Sequence, residues 1–191
     1  MKISDKPKDF IYKELARFVP GYLLEILHSK NYNYQFRPRY MNYTMLFADI
    51  TGFTALSEKL TQMGDEGAER VVSLVNHYFK RLLKIADERD GYAVKFGGDA
   101  LLFMFPVVKG DVFSSFRNGL CSARLIAEYF KQNPVVKTPV GSIRVNITMA
   151  LNNGKVYSCM VGGETKRKDY FIYGKMLNEL CLLYTSPSPR D

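Results

Sequence analysis

Two aspartates, Asp49 and Asp99, each stand where an apolar strand meets a turn. Asp49 ends the apolar run 45–48 and is followed by residues 50–54, Ile-Thr-Gly-Phe-Thr, a pattern typical of a buried strand that runs into a turn and a helix. Asp99 follows a Gly-Gly turn and precedes the strand 101–105, so it lies inside a predicted tight hairpin. If the two strands are neighbours in one sheet, both carboxylates meet at one edge.

The chemistry of such an edge depends on the loop beside it. Residues 51–54 include a glycine, and the backbone N–H groups of such a loop could hold phosphate. Carboxylate oxygens are suitable ligands for hard divalent cations such as Mg or Mn. Two carboxylates beside a phosphate loop are the arrangement needed for two-metal chemistry on a nucleotide. We therefore expect Asp49 and Asp99 to hold two divalent cations.

Hydrophobic spacing and turn residues predict the elements that position these groups. The order is strand, two helices, hairpin, helix, hairpin, strand and helix, and the second hairpin is expected to turn at Asn152-Asn153-Gly154. This order resembles a split βαβ, ferredoxin-like α/β sandwich with an added hairpin. We expect the helices to cover one face of the sheet and the other face to be free for nucleotide and partner.

The chain is expected to contain one domain with a segment on either side. Residues 1–40 are predicted to form a helical segment and linker, and residues 41–181 the domain itself. Residues 182–191 are expected to break the last helix, and they resemble a translated sequencing adapter more than a natural protein segment. We expect that tail to be non-native and the domain to be truncated at its C-terminal end.

Composition argues against several classes of protein. The 191-residue chain is 47% apolar and 24% charged, which is ordinary for a soluble globular protein. It has no run long enough for a membrane span and no apolar segment near Met1 that predicts a signal peptide, so we expect a cytoplasmic protein. The net charge is +8, but the basic residues are scattered, which argues against nucleic acid as a partner. The three cysteines have no CxxC spacing, which argues against a disulfide framework and a zinc site.

The two aspartate stretches also carry a family resemblance. Phe-Ala-Asp-Ile-Thr-Gly-Phe-Thr at 47–54 and Lys-Phe-Gly-Gly-Asp-Ala-Leu-Leu at 95–102 resemble the paired metal-binding signatures of class III nucleotidyl cyclases. Those enzymes convert ATP or GTP into the 3′,5′-cyclic monophosphate and pyrophosphate. The resemblance runs from about Tyr43 to Asn178. Within the family, the chain most resembles the first cyclase domain of tandem, bicarbonate-responsive soluble adenylyl cyclases.

This resemblance implies roles for the residues around the two aspartates. Asp49 and Asp99 would be metal ligands, and the backbone carbonyl of Ile50 would be a further one. The residues that would contact the substrate around them are Thr51, Gly52, Phe53, Thr54 and Gly98. Of these, Phe53 would anchor the loop and the others would lie near the phosphates.

Lys95 and Arg144 are the expected basic contacts. Lys95 stands four residues before Asp99, and its ammonium group offers only hydrogen-bond donors, which suits the acceptor N1 of adenine and favours ATP over GTP. Arg144 stands where similar cyclases place an arginine that reaches the phosphates. In bicarbonate-responsive soluble cyclases, the matching arginine and lysine bind bicarbonate. Both residues also have the alternative interpretation of ordinary surface side chains.

The resemblance weakens toward the C-terminus. Gly174 and Asn178 match the family's Gly-x-x-x-Asn, in which the asparagine orients the ribose and is the expected catalytic residue. Phe171 occupies the position at which the family usually has an Asp or Thr that contacts adenine. Leu182 occupies the position of the transition-state arginine. The missing arginine is explained either by truncation or by a true loss, and both explanations stay open.

Family sites lie between two cyclase domains, so a second cyclase domain is the expected partner besides ATP. It would lie in tandem in the same chain or belong to a homodimer, and in the tandem case Lys95 and Arg144 would line a second, regulatory pocket. One alternative is a catalytically incomplete domain that senses nucleotide or bicarbonate. Another is a diguanylate cyclase, which the Gly-Gly-Asp-Ala-Leu sequence at 97–101 disfavours because that class carries Gly-Gly-Asp/Glu-Glu-Phe.

Overall fold

A five-stranded antiparallel sheet forms the centre of the part of the chain that this computed structural model describes, residues 39–162 and 168–185. Its elements in chain order are β1 Arg39–Thr51, α1 Phe53–Thr61, α2 Asp65–Asp87, β2 Tyr92–Gly97, β3 Ala100–Pro106, α3 Val112–Gln132, β4 Val135–Thr138, β5 Gly141–Arg144, β6 Asn146–Gly162, β7 Lys168–Tyr173 and α4 Lys175–Thr185. The predicted helical segment and linker at 1–40 lie outside the described residues except for 39 and 40. That prediction is therefore untested.

The strand order in the sheet is β2-β3-β1-β6-β7. β3 lies between β1 and β2 and is antiparallel to both, and β1 lies between β3 and β6 in the same way. The chain therefore contains two split βαβ units, one with α1 and α2 in the crossover and one with α3. A hairpin that was not predicted from the sequence, β4–β5, forms its own two-stranded sheet. The predicted α/β sandwich is confirmed.

Alternate residues of β1 face α1, α2 and α3. Leu46, Ala48 and Ile50 are at most 1% exposed and belong to one cluster with side chains of these helices. Each fully buried Leu or Ile contributes about 1.5–3 kcal/mol, so this layer fixes the register of β1 and with it the end at which Asp49 lies.

The opposite face of the sheet is partly covered by α4, which corrects the expectation that all helices lie on one face. Met176 and Leu180 of α4 are buried, and Met176 packs against Gly154 of β6. Met45 of β1, whose register partner is Asn152, is fully buried on this face. The reason is the spacing of apolar residues in α4, where positions 176, 180 and 184 form one stripe that needs a surface to pack on.

The predicted hairpin at Asn152-Asn153-Gly154 is wrong. β6 runs straight through this stretch and pairs with β1 from Thr51↔Asn146 to Arg39↔Ser158. None of these three residues has positive φ, which a tight two-residue hairpin turn requires. Because β1 is thirteen residues long, it offers backbone hydrogen-bond partners to all of residues 152–154. Continued strand pairing is therefore more favourable than the turn that these residues locally prefer.

The end of the chain also differs from the prediction. α4 continues through Leu182 to Thr185, so residues 182–185 do not break the helix. Residues 163–167 and 186–191 lie outside the described residues.

Candidate active site

The structure brings Asp49 and Asp99 to the same edge of the sheet. Asp49 is the register partner of Ala100, the residue that follows Asp99. The backbone N–H of Ile50 donates to the backbone carbonyl of Asp99 at an N–O distance of 3.3 Å. This hydrogen bond joins the last residues of β1 to the β2–β3 turn. The turn includes Gly98, whose φ is 65°.

Thr54 connects the start of α1 to the second aspartate. Its hydroxyl donates to a carboxylate oxygen of Asp99 at 3.2 Å. A hydrogen bond to a charged acceptor is stronger than one between neutral groups, so this bond can orient the carboxylate. The loop and the aspartate therefore form one connected unit.

Gly52 makes the turn between β1 and α1 possible. Its φ is 91°, and a Cβ at this position would lie 2.5 Å from the backbone oxygen of Arg144. A side chain would therefore meet both conformational strain and a backbone atom. Phe53, which follows, is 4% exposed and anchors the turn in the core, and no side chain caps the N-terminus of α1. The N–H groups of this helix start can therefore donate hydrogen bonds to an anion.

Arg144 and Thr51 lie on either side of this turn. Arg144 is the last residue of β5, its side chain is exposed, and its carbonyl is the group that approaches Gly52. Thr51 is exposed, and its hydroxyl shares a 3.0 Å hydrogen bond with the hydroxyl of Thr148 on β6. Thr148 is also the register partner of Asp49, so a second hydroxyl belongs to this edge.

Lys95 lies on the same face of the sheet as Asp49. It pairs with Leu102, which pairs with Phe47, two residues before Asp49. The strand β2 has a register shift between Ala93 and Lys95, and this shift puts Lys95 on that face. The Lys95 side chain is exposed, so its ammonium group is accessible to a ligand.

Tyr184 of α4 reaches Asp49. Its hydroxyl donates a short hydrogen bond to Asp49, and its ring contacts that of Phe47 with centroids 4.7 Å apart. The pKa of Tyr184 is raised to about 12, first by the hydrogen bond to Asp49, then by burial, and then by the charges of Asp49 and Asp99. Both carboxylates act on this phenol because both lie at the same edge of the sheet.

Three predicted residues do not lie at this edge. Phe171 on β7 is the register partner of Cys159, which is eleven residues beyond Thr148, or about 36 Å along β6. Gly174 precedes α4 with φ of 150°. Asn178 is exposed and lies six residues, or about 9 Å along the helix axis, before Tyr184. Within one chain, the predicted site residues thus form two separate groups.

The residues at the edge fit a divalent cation of the magnesium type. Among residues 39–162 and 168–185, no group of three or more His, Cys, Asp or Glu side chains could hold a metal. The available donors are two carboxylates, threonine hydroxyls and backbone carbonyls, all of them hard oxygens. Mg²⁺ is commonly held by one or two carboxylates together with water and substrate phosphates, so this donor set suits a cation that arrives with a nucleotide.

Two neighbours of Asp49 escape prediction from sequence. In the sequence, Thr148 is one polar residue of an alternating strand. Its position opposite Asp49 follows only from the β1–β6 register, which the sequence does not specify. Tyr184 lies in the tail that we expect to be non-native, and no sequence signal points to its contact with Asp49.

Comparison with known proteins agrees with this geometry. Residues 36–180 match the family described as the adenylate and guanylate cyclase catalytic domain. Adenylate cyclase type 10 from Homo sapiens is 36% identical over 155 residues, which is 80% of this chain, and the protein of that name from Oryctolagus cuniculus is 27% identical over 146 residues, which is 75%. The chain spans only 9% of the length of each of these relatives.

A solved structure supports the fold independently. The structure of a bacterial light-regulated adenylyl cyclase superposes with a TM-score of 0.70 at 22% identity, covering 94% of this chain and 48% of that one. At this level of identity, the likeness concerns the fold alone. In the described part of this chain, no helix is long and apolar enough to cross a membrane.

Proposed function

The chain belongs to the adenylate and guanylate cyclase catalytic domain family, and we propose that it converts ATP to 3′,5′-cyclic AMP and pyrophosphate with divalent cations. The observation that carries this proposal is the common edge of Asp49 and Asp99 beside the Gly52 turn. In the reaction, the ribose 3′-oxygen bonds to the α-phosphorus while the bond from that phosphorus to the departing pyrophosphate breaks. The hydroxyl proton passes to water.

The residues of this chain bind and orient the triphosphate. The N–H groups at the start of α1 face the phosphates, and Thr54 orients the Asp99 carboxylate through its hydroxyl. We propose Asp49, Asp99 and the carbonyl of Ile50 as ligands for Mg or Mn. Bound cations would lower the pKa of the 3′-hydroxyl and neutralise charge on the leaving group.

Lys95 supports ATP as the preferred nucleotide. It shares the face of Asp49, and a side chain with donors alone matches N1 of adenine better than the N1–H of guanine. Arg144 is proposed to contact the phosphates from beside the Gly52 turn. The test is competition: the full-length protein, given equal concentrations of ATP and GTP with Mg or Mn, should form mainly cyclic AMP. Equal or greater formation of cyclic GMP would reject the nucleotide assignment.

We propose that activity requires a second cyclase domain, in tandem or in a homodimer. The support is the separation of Phe171, Gly174 and Asn178 from the aspartate edge. Two domains that face each other would bring the asparagine of one to the carboxylates of the other. We further propose a cytoplasmic location, in keeping with a role in intracellular signalling.

A second candidate function is a regulatory domain that binds nucleotide or bicarbonate without turnover. One observation favours it: Phe171 stands at the position of the expected adenine-reading residue. Nucleotide binding without any cyclic product in the full-length protein would select this candidate.

A further inference from the structure

Asn152 and Asn153 lie side by side in the middle of β6 and face opposite sides of the sheet. Asn153 is the partner of Thr44, on the face covered by α1–α3, and Asn152 is the partner of Met45, on the face covered by α4. The two asparagines suggest a hairpin turn in the sequence, yet both have regular strand positions. Their side chains therefore need another explanation.

Asn153 belongs to a buried polar network. Its side-chain amide donates to the hydroxyl of Thr44 at 3.0 Å and to the carbonyl of Tyr43 at 3.3 Å. Thr44 is fully buried and also accepts a hydrogen bond from Ser115 of α3 at 2.9 Å. Asn153 thus ties β6 to β1 within the core, which is a structural role.

Asn152 makes its contacts with α4 instead. Its amide nitrogen donates to the backbone carbonyl of Met176 at 3.2 Å and to the carboxylate of Glu179 at 3.3 Å. Its side-chain oxygen accepts from the backbone N–H of Asn153 at 2.8 Å, so the amide group is held in one orientation. A Cβ on Gly154 would lie 3.1 Å from the Met176 side chain, so the glycine gives α4 room to approach.

The two groups that Asn152 bonds on α4 are three residues apart and lie on either side of Asn178 in the sequence. Together with the packing of the buried Met176 and Leu180, these two bonds, nearly one turn apart, hold α4 in one rotation about its axis. The rotation of α4 decides where the exposed Asn178 points. Glu179 also pairs with Lys175 at 3.3 Å, which keeps its carboxylate near Asn152.

We propose that Asn152 is a positioning residue that sets the rotation of α4 and so aims Asn178 at the ribose of the nucleotide. This inference rests on the proposed cyclase function, because the role of Asn178 belongs to that function. Asn152 does not touch the substrate. Its effect on the reaction is transmitted through Asn178.

The test is the change Asn152→Asp in the full-length protein, with Asn153→Asp as the matched control. Aspartate keeps the shape of the side chain, but it loses both amide donors and repels Glu179. We expect faster hydrogen exchange in α4 and a kcat lowered between about tenfold and a hundredfold, with the KM for ATP changed less than about twofold. Asn153→Asp should lower the free energy of unfolding and leave both kcat and α4 exchange unchanged.

A double-mutant cycle with Asn178→Ala shows whether Asn152 acts through that residue. We expect Asn152→Asp to add no further loss of kcat to Asn178→Ala. Independent, multiplicative losses would overturn the proposal, and so would unchanged α4 exchange or an unchanged kcat in the single variant. If the parent protein forms no cyclic nucleotide, the proposed function fails, and the proposed effect of Asn152 on the reaction fails with it. Hydrogen exchange would then still decide whether Asn152 anchors α4.

Discussion

The backbone N–H of Ile50 donates to the backbone carbonyl of Asp99 at an N–O distance of 3.3 Å, although the two residues are 49 positions apart in the sequence. This bond joins the end of β1 to the β2–β3 turn. It places the two proposed metal-binding aspartates on backbone segments that support each other. The site is therefore built on strand ends, which hold side chains more rigidly than free loops.

Replacing Gly52 by alanine should reduce both stability and activity. At φ of 91°, alanine costs about 1–2 kcal/mol, and its Cβ must also displace the Arg144 carbonyl. Gly64→Ala is the matched control, because Gly64 has φ of 73° with no atom within 4 Å of a Cβ. Urea unfolding and cyclase assays on both variants should show the activity loss in Gly52→Ala alone. Equal activities in the two variants would show that the close approach to Arg144 has no functional importance.

Removing the Thr54 hydroxyl should slow the reaction without unfolding the protein. Thr54→Val breaks the hydrogen bond to Asp99 and leaves that carboxylate less oriented. We expect kcat/KM to fall about tenfold, the effect of roughly 1.4 kcal/mol, with the melting temperature little changed. Thr54→Ser retains the hydroxyl and should retain most of the activity. A serine variant as slow as the valine variant would contradict this explanation.

Alkaline pH should destabilise the fold through Tyr78. Its pKa is raised by burial and, secondarily, by the neighbouring Tyr129. Because the folded pKa lies above the unfolded value of about 10, the contribution of Tyr78 is complete below pH 10 and is lost as pH rises further. Tyr78→Phe should therefore weaken the decline in unfolding free energy above pH 10, with urea unfolding at pH 8 as the baseline. If the unfolding free energy above pH 10 declined as steeply in the variant as in the parent, the raised pKa of Tyr78 would be contradicted.

The sequence predicted the parts of the fold that local patterns determine. The β2–β3 hairpin and both helices between β1 and β2 are confirmed. The start of α3 is likewise local, since the Asp111 side chain accepts from the N–H of Ser114 at 2.9 Å. These features depend on hydrophobic period, glycine turns and helix caps, which neighbouring residues specify. The aspartate edge was predictable for the same reason, since each aspartate follows or ends a recognisable local motif.

What sequence reasoning missed depends on contacts between distant residues. The Asn152-Asn153-Gly154 stretch has the composition of a hairpin turn, but the thirteen residues of β1 pair through it. The packing of α4 on the second face of the sheet depends on its apolar stripe at positions 176, 180 and 184, and the sequence does not show which surface this stripe contacts. The contact between Tyr184 and Asp49 depends on the same packing. Local patterns cannot report such tertiary partners.

The most direct test of the account is the rate of cyclic AMP formation by the full-length protein carrying Asp99→Asn. Asparagine keeps the size of the side chain but removes the charge that a divalent cation needs. With ATP and Mn or Mg, we expect the rate to fall at least a hundredfold while circular dichroism and the melting temperature stay near those of the parent. Asp87→Asn, at the exposed end of α2, is the control and should keep the parental rate. Undiminished cyclic AMP formation by the Asp99→Asn variant would contradict the central claim that Asp99 holds a catalytic cation.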